Sequence, residues 1–253
     1  MKYSILFEGF QLGSKKLKNK IIMAPLTRQC AESDGSPNDE MVSYYARRAR
    51  GGVGMIITEG TYPSENLGAI GYLNQPGCCN KKHVEKWKKI VDAVHENGSL
   101  IILQLMHAGR VADPRTLREN EKPVSSSSTK SDGWVLYTDT DDEKFDRGIS
   151  GEWPQINFPQ AKSLSKKEIQ QIINDFATSA KYAVEAGFDG VEIHGANGYL
   201  LYQFTDPKQN IRNDEFGGNA KNNLKFSKLI CEKIREEIGN DKIISYRISQ
   251  DGV

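Results

Sequence analysis

The chain has little of what would mark it for a metal, a nucleic acid or a membrane. It holds four cysteines in 253 residues, Cys30, Cys78, Cys79 and Cys231. None stands in a C-x-x-C pair, which argues against a zinc site. Cys78 and Cys79 are adjacent, a poor disulfide geometry, and residues 1–12 do not read as a signal peptide. Reduced thiols and a cytoplasmic location are expected. Charge of one sign is also missing: 34 basic against 33 acidic residues leave a net charge of +1. No general field for DNA, RNA or an anionic membrane follows from that balance. No apolar run approaches the length of a membrane span. No G-x-G-x-x-G follows a strand. Nothing in the pattern sets an oligomeric state. The length suits one large α/β domain or two small ones.

What is present is an alternation of short apolar runs with long amphipathic ones. Residues 21–26 (IIMAPL), 55–58 (MIIT), 100–105 (LIILQL), 191–194 (VEIH) and 243–249 (IISYRIS) read as strands. Between them, helices are expected over residues 38–50, 84–97, 166–186 and 222–238. Gly98 can cap the second, and Ser165-Lys166-Lys167-Glu168 has the pattern of a capping box for the third. Strands that alternate with helices imply a parallel sheet with right-handed crossovers. Residues 108–164 break the rhythm, being long and without helical periodicity. A connection of that length is usually a lid or small subdomain. It follows the C-terminal end of a strand, where α/β barrels place ligand-binding loops. Trp134, Trp153, Ile156 and Phe158 would anchor it, which favours structure over a disordered insertion.

Polar residues interrupt the strands in a regular way. Side chains alternate between the two faces of a strand. Ile101, Leu103 and Leu105 share one face, as do Val191 with Ile193 and Ile244 with Tyr246 and Ile248. That leaves Gln104, Glu192, His194, Ser245 and Arg247 in the other phase, expected to face a barrel interior or its mouth. A buried guanidinium needs partners. Arg247 is therefore expected either in an ion pair with Glu192 or against a bound ligand. Three such residues near the C-terminal ends of three strands favour a site.

At this level the residues resemble a known family. The segment 191–201 (VEIHGANGYLL), continuing through Gln203-Phe204-Thr205-Asp206-Pro207 and residues 210–218 (NIRNDEFGG), is similar to the active-site stretch of old yellow enzyme, the NADH:flavin oxidoreductases. Residues 23–28 (MAPLTR), 55–60 (MIITEG) and 246–249 (YRIS) resemble its first, second and fifth strand motifs. The resemblance runs from about Leu6 to the last residue, with every motif in order.

The resemblance implies an FMN-binding (β/α)₈ TIM barrel, of which residues 1–253 would supply about five of eight strands, capped on the active-site face by the insertion at 108–164. The chain would then lack the last βα units, whose loops hold the FMN phosphate in the family. The resemblance also implies reduction of the C=C bond of an enone, with NADH or NADPH as hydride donor. Pro25, Thr27, Gly60, Gln104 and Arg247 correspond to flavin contacts. His194 and Asn197 correspond to the pair that receives the substrate carbonyl, and Tyr199 to the proton donor. Met106 stands where yeast-like members have Trp, residues 107–110 (HAGR) resemble the bacterial branch, and Asn223 stands where the family usually has Arg. The alternative on the same residues is a truncated, catalytically inactive barrel remnant or binding protein. An aldolase-type barrel is disfavoured, since no predicted strand carries a lysine for a Schiff base.

Overall fold

Five of the apolar runs become neighbours in one parallel sheet. The protein is described by a computed structural model covering residues 3–117, 121–136 and 155–250. An N-terminal hairpin, β1 (Phe10–Leu12) and β2 (Lys15–Leu17), precedes β3 (Ile22–Met23), β4 (Met55–Ile57) and β5 (Leu100–Leu105). Within the long insertion lie β6 (Val124–Ser125), β7 (Trp134–Leu136), β8 (Gln155–Asn157) and β9 (Lys162–Ser163). β10 (Gly190–His194) and β11 (Ile243–Arg247) complete the strands. The helices are α1 (Asp39–Arg50), α2 (Lys81–His95), α3 (Lys166–Glu185), α4 (Leu200–Thr205), α5 (Ala220–Asn223) and α6 (Lys225–Ile238). The sheet runs β3-β4-β5-β10-β11, all parallel, and curls into a half-barrel.

The helices begin where side chains can satisfy free N–H groups. Asn38 accepts from the Met41 N–H and Asn80 from the His83 N–H. Ser165 and Glu168 form the full capping box. The Asn80 cap starts α2 three residues before the apolar run at Val84, because its first turn is polar, with Lys81 and Lys82 exposed. The first strand is shorter than its apolar run: only Ile22 and Met23 pair with β4. Pro25 has no N–H to offer a ladder, and the chain leaves the sheet there. Residues 222–238, expected as one helix, divide instead between the end of α5 and α6, with Leu224 exposed at the break. The N-terminal hairpin was not legible; its two-residue turn at Gly13-Ser14 uses a positive φ of 57° at Gly13.

The two faces of the sheet differ as their parity demands. Ile56, Ile101, Leu103, Leu105, Val191 and Ile193 pack outward against Trp87, Ile90 and Val94 of α2, Ile172 and Phe176 of α3, and Ile230 and Ile234 of α6. The inner face is apolar only at its N-terminal end. There Leu17 of the hairpin plugs it, packed with Met55, Ile57 and Ile102 and flanked by Leu12, Leu100 and Ile243. Higher on the same face the residues become Gln104, Glu192, Ser245 and Arg247. Gly190 is forced by the pairing of β10 with β11, since a Cβ there would collide with the Ile243 carbonyl.

Asp189 ties this end together. Its carboxylate accepts from the Ile101 N–H at 2.9 Å and from His95 Nε2 at 2.9 Å, and pairs with Lys15 Nζ at 3.2 Å. Burial alone would raise its pKa, but the His95, Ile101 and Lys15 contacts outweigh it and hold the group below the ordinary value. A depressed carboxylate stabilises the fold above its unfolded pKa and loses that contribution as pH falls through the folded one. Asp189→Ala is therefore expected to cost about 2 kcal/mol at pH 7, since a buried N–H loses its acceptor. The deficit should shrink below pH 4. Denaturant unfolding of both proteins at pH 7 and pH 3 would check it.

The described segments of the long insertion fold onto the C-terminal side of the sheet. β6 pairs with β9, and β7 with β8. Ser126 donates to the Gln203 carbonyl of α4, and Arg212 bonds to the Ser126 and Leu164 carbonyls. Phe158 is buried as expected. The side chains of Trp134 and Ile156, and all of Trp153, lie outside the described residues.

Candidate functional site

The C-terminal ends of β5, β10 and β11 bring the polar residues together through their register. Gln104 lies opposite Glu192, Glu192 opposite Ser245, and His194 opposite Arg247. Glu192 is the centre. Its carboxylate accepts from Gln104 Nε2 at 2.9 Å, Arg247 Nε at 2.7 Å and Ser245 Oγ at 3.0 Å, with Arg247 Nη2 at 3.4 Å. The Glu192 side chain is 3% exposed and that of Arg247 32%. So the ion pair expected on structural grounds forms, and it leaves part of the guanidinium facing the opening. Nη1 of Arg247 and Oε1 of Gln104 have no hydrogen-bond partner among the described residues.

His194 is buried and its Nδ1 accepts from the Ala196 N–H at 3.3 Å. The proton of the neutral ring therefore sits on Nε2, a donor with no acceptor among the described residues. Burial, with the Arg247 charge adding to it, lowers the His194 pKa to about 4. At pH 7 the ring is a neutral donor. Tyr199 meets it edge-on, with ring centroids 4.8 Å apart. Burial raises the Tyr199 pKa, so its hydroxyl keeps its proton at neutral pH. Asn197 is exposed and adopts φ 57°, a left-handed conformation that asparagine tolerates better than most residues. Its N–H donates to Ser249 Oγ at 3.0 Å, and its side-chain amide has no partner among the described residues.

A second group stands at the ends of β3 and β4. Thr27 Oγ1 lies 2.9 Å from the Tyr72 hydroxyl, which also bonds Met106 Sδ at 3.7 Å. Pro25 is half-buried in the same irregular stretch. At Gly60 a Cβ would lie 2.7 Å from Sδ of the flexible Met106 side chain. Behind this group Glu59 is buried, accepting from the Arg28 N–H at 2.9 Å and from the Tyr45 hydroxyl at 3.2 Å. Sequence reasoning missed Tyr72, which lies in a loop with no periodicity. Glu59 carried a signal, a carboxylate two residues past the apolar strand β4.

A model of the NADH:flavin oxidoreductase / NADH oxidase family matches residues 5–253. The chain belongs to that family. 12-oxophytodienoate reductase 2 of Arabidopsis thaliana is 38% identical over 239 residues, 94% of this chain and 59% of the relative. Putative 12-oxophytodienoate reductase 4 of Oryza sativa subsp. japonica is 38% identical, over 94% of this chain and 57% of its own length. Among solved structures, the old yellow enzyme homologue from Zymomonas mobilis is similar at a TM-score of 0.85 and 34% identity, covering 98% of this chain and 64% of that one. Morphinone reductase in complex with tetrahydroNAD gives a TM-score of 0.83 at 33% identity, covering 96% and 63%. The chain thus spans less than two thirds of the length of these NADH:flavin oxidoreductase relatives. Its curled five-stranded sheet is the matching part of a TIM barrel. Among the described residues no helix is long and apolar enough to cross a membrane, and no cluster of His, Cys, Asp and Glu could hold a metal ion.

Proposed function

We propose that this chain carries the flavin edge and substrate pair of an FMN-dependent ene-reductase, which reduces the C=C bond of an enone with NADH or NADPH. One observation carries the reading: the His194 Nε2–H, the Asn197 amide and the protonated Tyr199 hydroxyl lie within one short segment at the end of β10 and lack protein acceptors among the described residues. The donor set also suits the flavin pyrimidine edge. Gln104 Oε1 is an unpaired acceptor for an N–H, and Arg247 Nη1 an unpaired cationic donor beside it. Thr27, Pro25 and Gly60 would line the other side, with Thr27 retaining hydrogen-bonding capacity beyond Tyr72.

When bound, FMN would supply hydride transfer from the nicotinamide to the substrate β-carbon. His194 and Asn197 would hold the carbonyl oxygen between two donors and stabilise the charge that develops there. Tyr199 would then give its proton to the α-carbon. The segments of the insertion packed over α4 would cap this face and exclude water. A small-molecule enone, a cytoplasmic setting, and no nucleic-acid or membrane partner complete the reading. The relatives' names, two of them reductases of 12-oxophytodienoate and one of morphinone, support an unsaturated carbonyl substrate. A catalytically inactive remnant or binding protein is the competing reading. A full-length protein that retains FMN and oxidises NADH or NADPH only when an enone is supplied favours the enzyme; flavin-free protein inert to enones favours the remnant.

Tyr199→Phe separates the two half-reactions. Loss of a positioned acid costs about 10²–10⁴-fold in the step that uses it. Enone reduction by the pre-reduced protein should slow by about that much, while flavin reduction by the nicotinamide stays within about twofold. Stopped-flow traces showing the nicotinamide step slowed instead would remove Tyr199 from this role.

A further inference from the structure

The proposed flavin edge leaves one buried group without a role. Glu192 touches no ligand position, yet it bonds both residues assigned there. A carboxylate can only accept, so the Gln104 atom facing it at 2.9 Å is the amide nitrogen. This fixes an orientation that a glutamine side chain alone leaves open. The same carboxylate takes Arg247 through Nε at 2.7 Å, holding the guanidinium by its inner edge. Ser245 Oγ, at 3.0 Å, holds the second oxygen. Three strands thus fix one carboxylate, and that carboxylate fixes two side chains.

We infer that Glu192 is a positioning residue for the flavin edge: it locks the Gln104 amide with its oxygen available as an acceptor, and it offsets part of the Arg247 charge. The inference rests on the reading that Gln104 and Arg247 hold FMN. Two consequences follow. Gln104 selects an N–H, so a flavin methylated at N3 is rejected. Reduced flavin carries more negative charge beside Arg247 than oxidised flavin does, and Glu192 restrains how strongly the guanidinium favours it.

The test uses the full-length protein with FMN bound and reads its midpoint potential. Glu192→Gln keeps the shape but removes the charge and the acceptor-only constraint. It is expected to shift the reduction equilibrium about tenfold towards reduced flavin, about 30 mV for a two-electron couple. The preference for FMN over 3-methyl-FMN should fall at least about threefold, in line with one weakened hydrogen bond. Glu192→Asp keeps the charge and disturbs packing more, and should move the potential less than Glu192→Gln. An unchanged potential in Glu192→Gln, or a larger shift in Glu192→Asp, overturns the inference. Should Glu192→Gln not fold, the double variant Glu192→Gln/Arg247→Gln decides. Its preference for FMN over 3-methyl-FMN should fall below that of Arg247→Gln alone, because the carboxylate also orients the Gln104 amide, and an unchanged preference overturns the inference. A wild-type protein that retains no FMN, or whose potential Arg247→Gln leaves unmoved, overturns the flavin reading and this inference with it.

Discussion

Replacing His194 and Asn197 together with alanine is expected to slow enone reduction by at least about a hundredfold, while flavin content changes little. Each donor to a developing oxyanion is worth about 3 kcal/mol, or about 10²–10³ in rate. Donors that act as a pair are not additive, so the double variant should lose less than the product of the singles. The structure explains why the loss should be clean. The His194 Nε2–H and the Asn197 side-chain amide support no other described group, so the one protein group that loses its acceptor is the Ala196 N–H, bonded to His194 Nδ1. His194 is held neutral, with its pKa at about 4, so its donor does not depend on protonation at pH 7. Binding of a phenol-type ligand should weaken in parallel with turnover. Rates of the enone step and phenol titrations in a full-length protein check both, and unchanged values in the double variant would remove the pair from carbonyl recognition.

The second large effect concerns the polypeptide of these 253 residues expressed by itself. β3 and β11 each pair on one side only among the described residues. Unpaired strand edges are templates for pairing between chains, whereas a closed barrel has no edge. Apolar side chains stand beside them: Ile22 is 44% exposed, Leu26 55% and Ile248 78%. Self-association is the expected result, with FMN held far more weakly than by a full-length relative. The polar partners described lie at the proposed pyrimidine edge, and the family resemblance places the phosphate on later βα units. Each charge-assisted hydrogen bond missing there is worth about 1.5–3 kcal/mol. Sizing by light scattering and retained flavin by absorbance would settle it. A monodisperse yellow monomer with one FMN per chain would show that the edges are covered by other means.

Much of this protein was legible from period and order alone. Strand parity separated Ile101, Leu103, Val191 and Ile193 from Gln104, Glu192 and Arg247, and the folded sheet keeps that division. The reason is local: alternation along a strand is a property of the backbone, and apolar residues must meet the helices. The capping box at Ser165 was equally legible, because its two hydrogen bonds close within four residues. The family motifs carried the identity of the chain, being ordered and unmistakable in combination.

Tertiary structure decided what depends on residues far apart. Whether Arg247 faced a carboxylate or a ligand could not follow from parity. The register of β10 between β5 and β11 decided it, by placing Gln104, Ser245 and Arg247 around Glu192 and leaving one edge of the guanidinium open. The Gly60 backbone faces Met106, 46 positions away, and no periodicity links the two. Tyr72 reached Thr27 from a loop that carries no pattern. The hairpin that plugs the sheet through Leu17 depends on a surface made by three later strands. Local patterns could specify faces, caps and order; partners across the sheet required the register that only the folded chain sets.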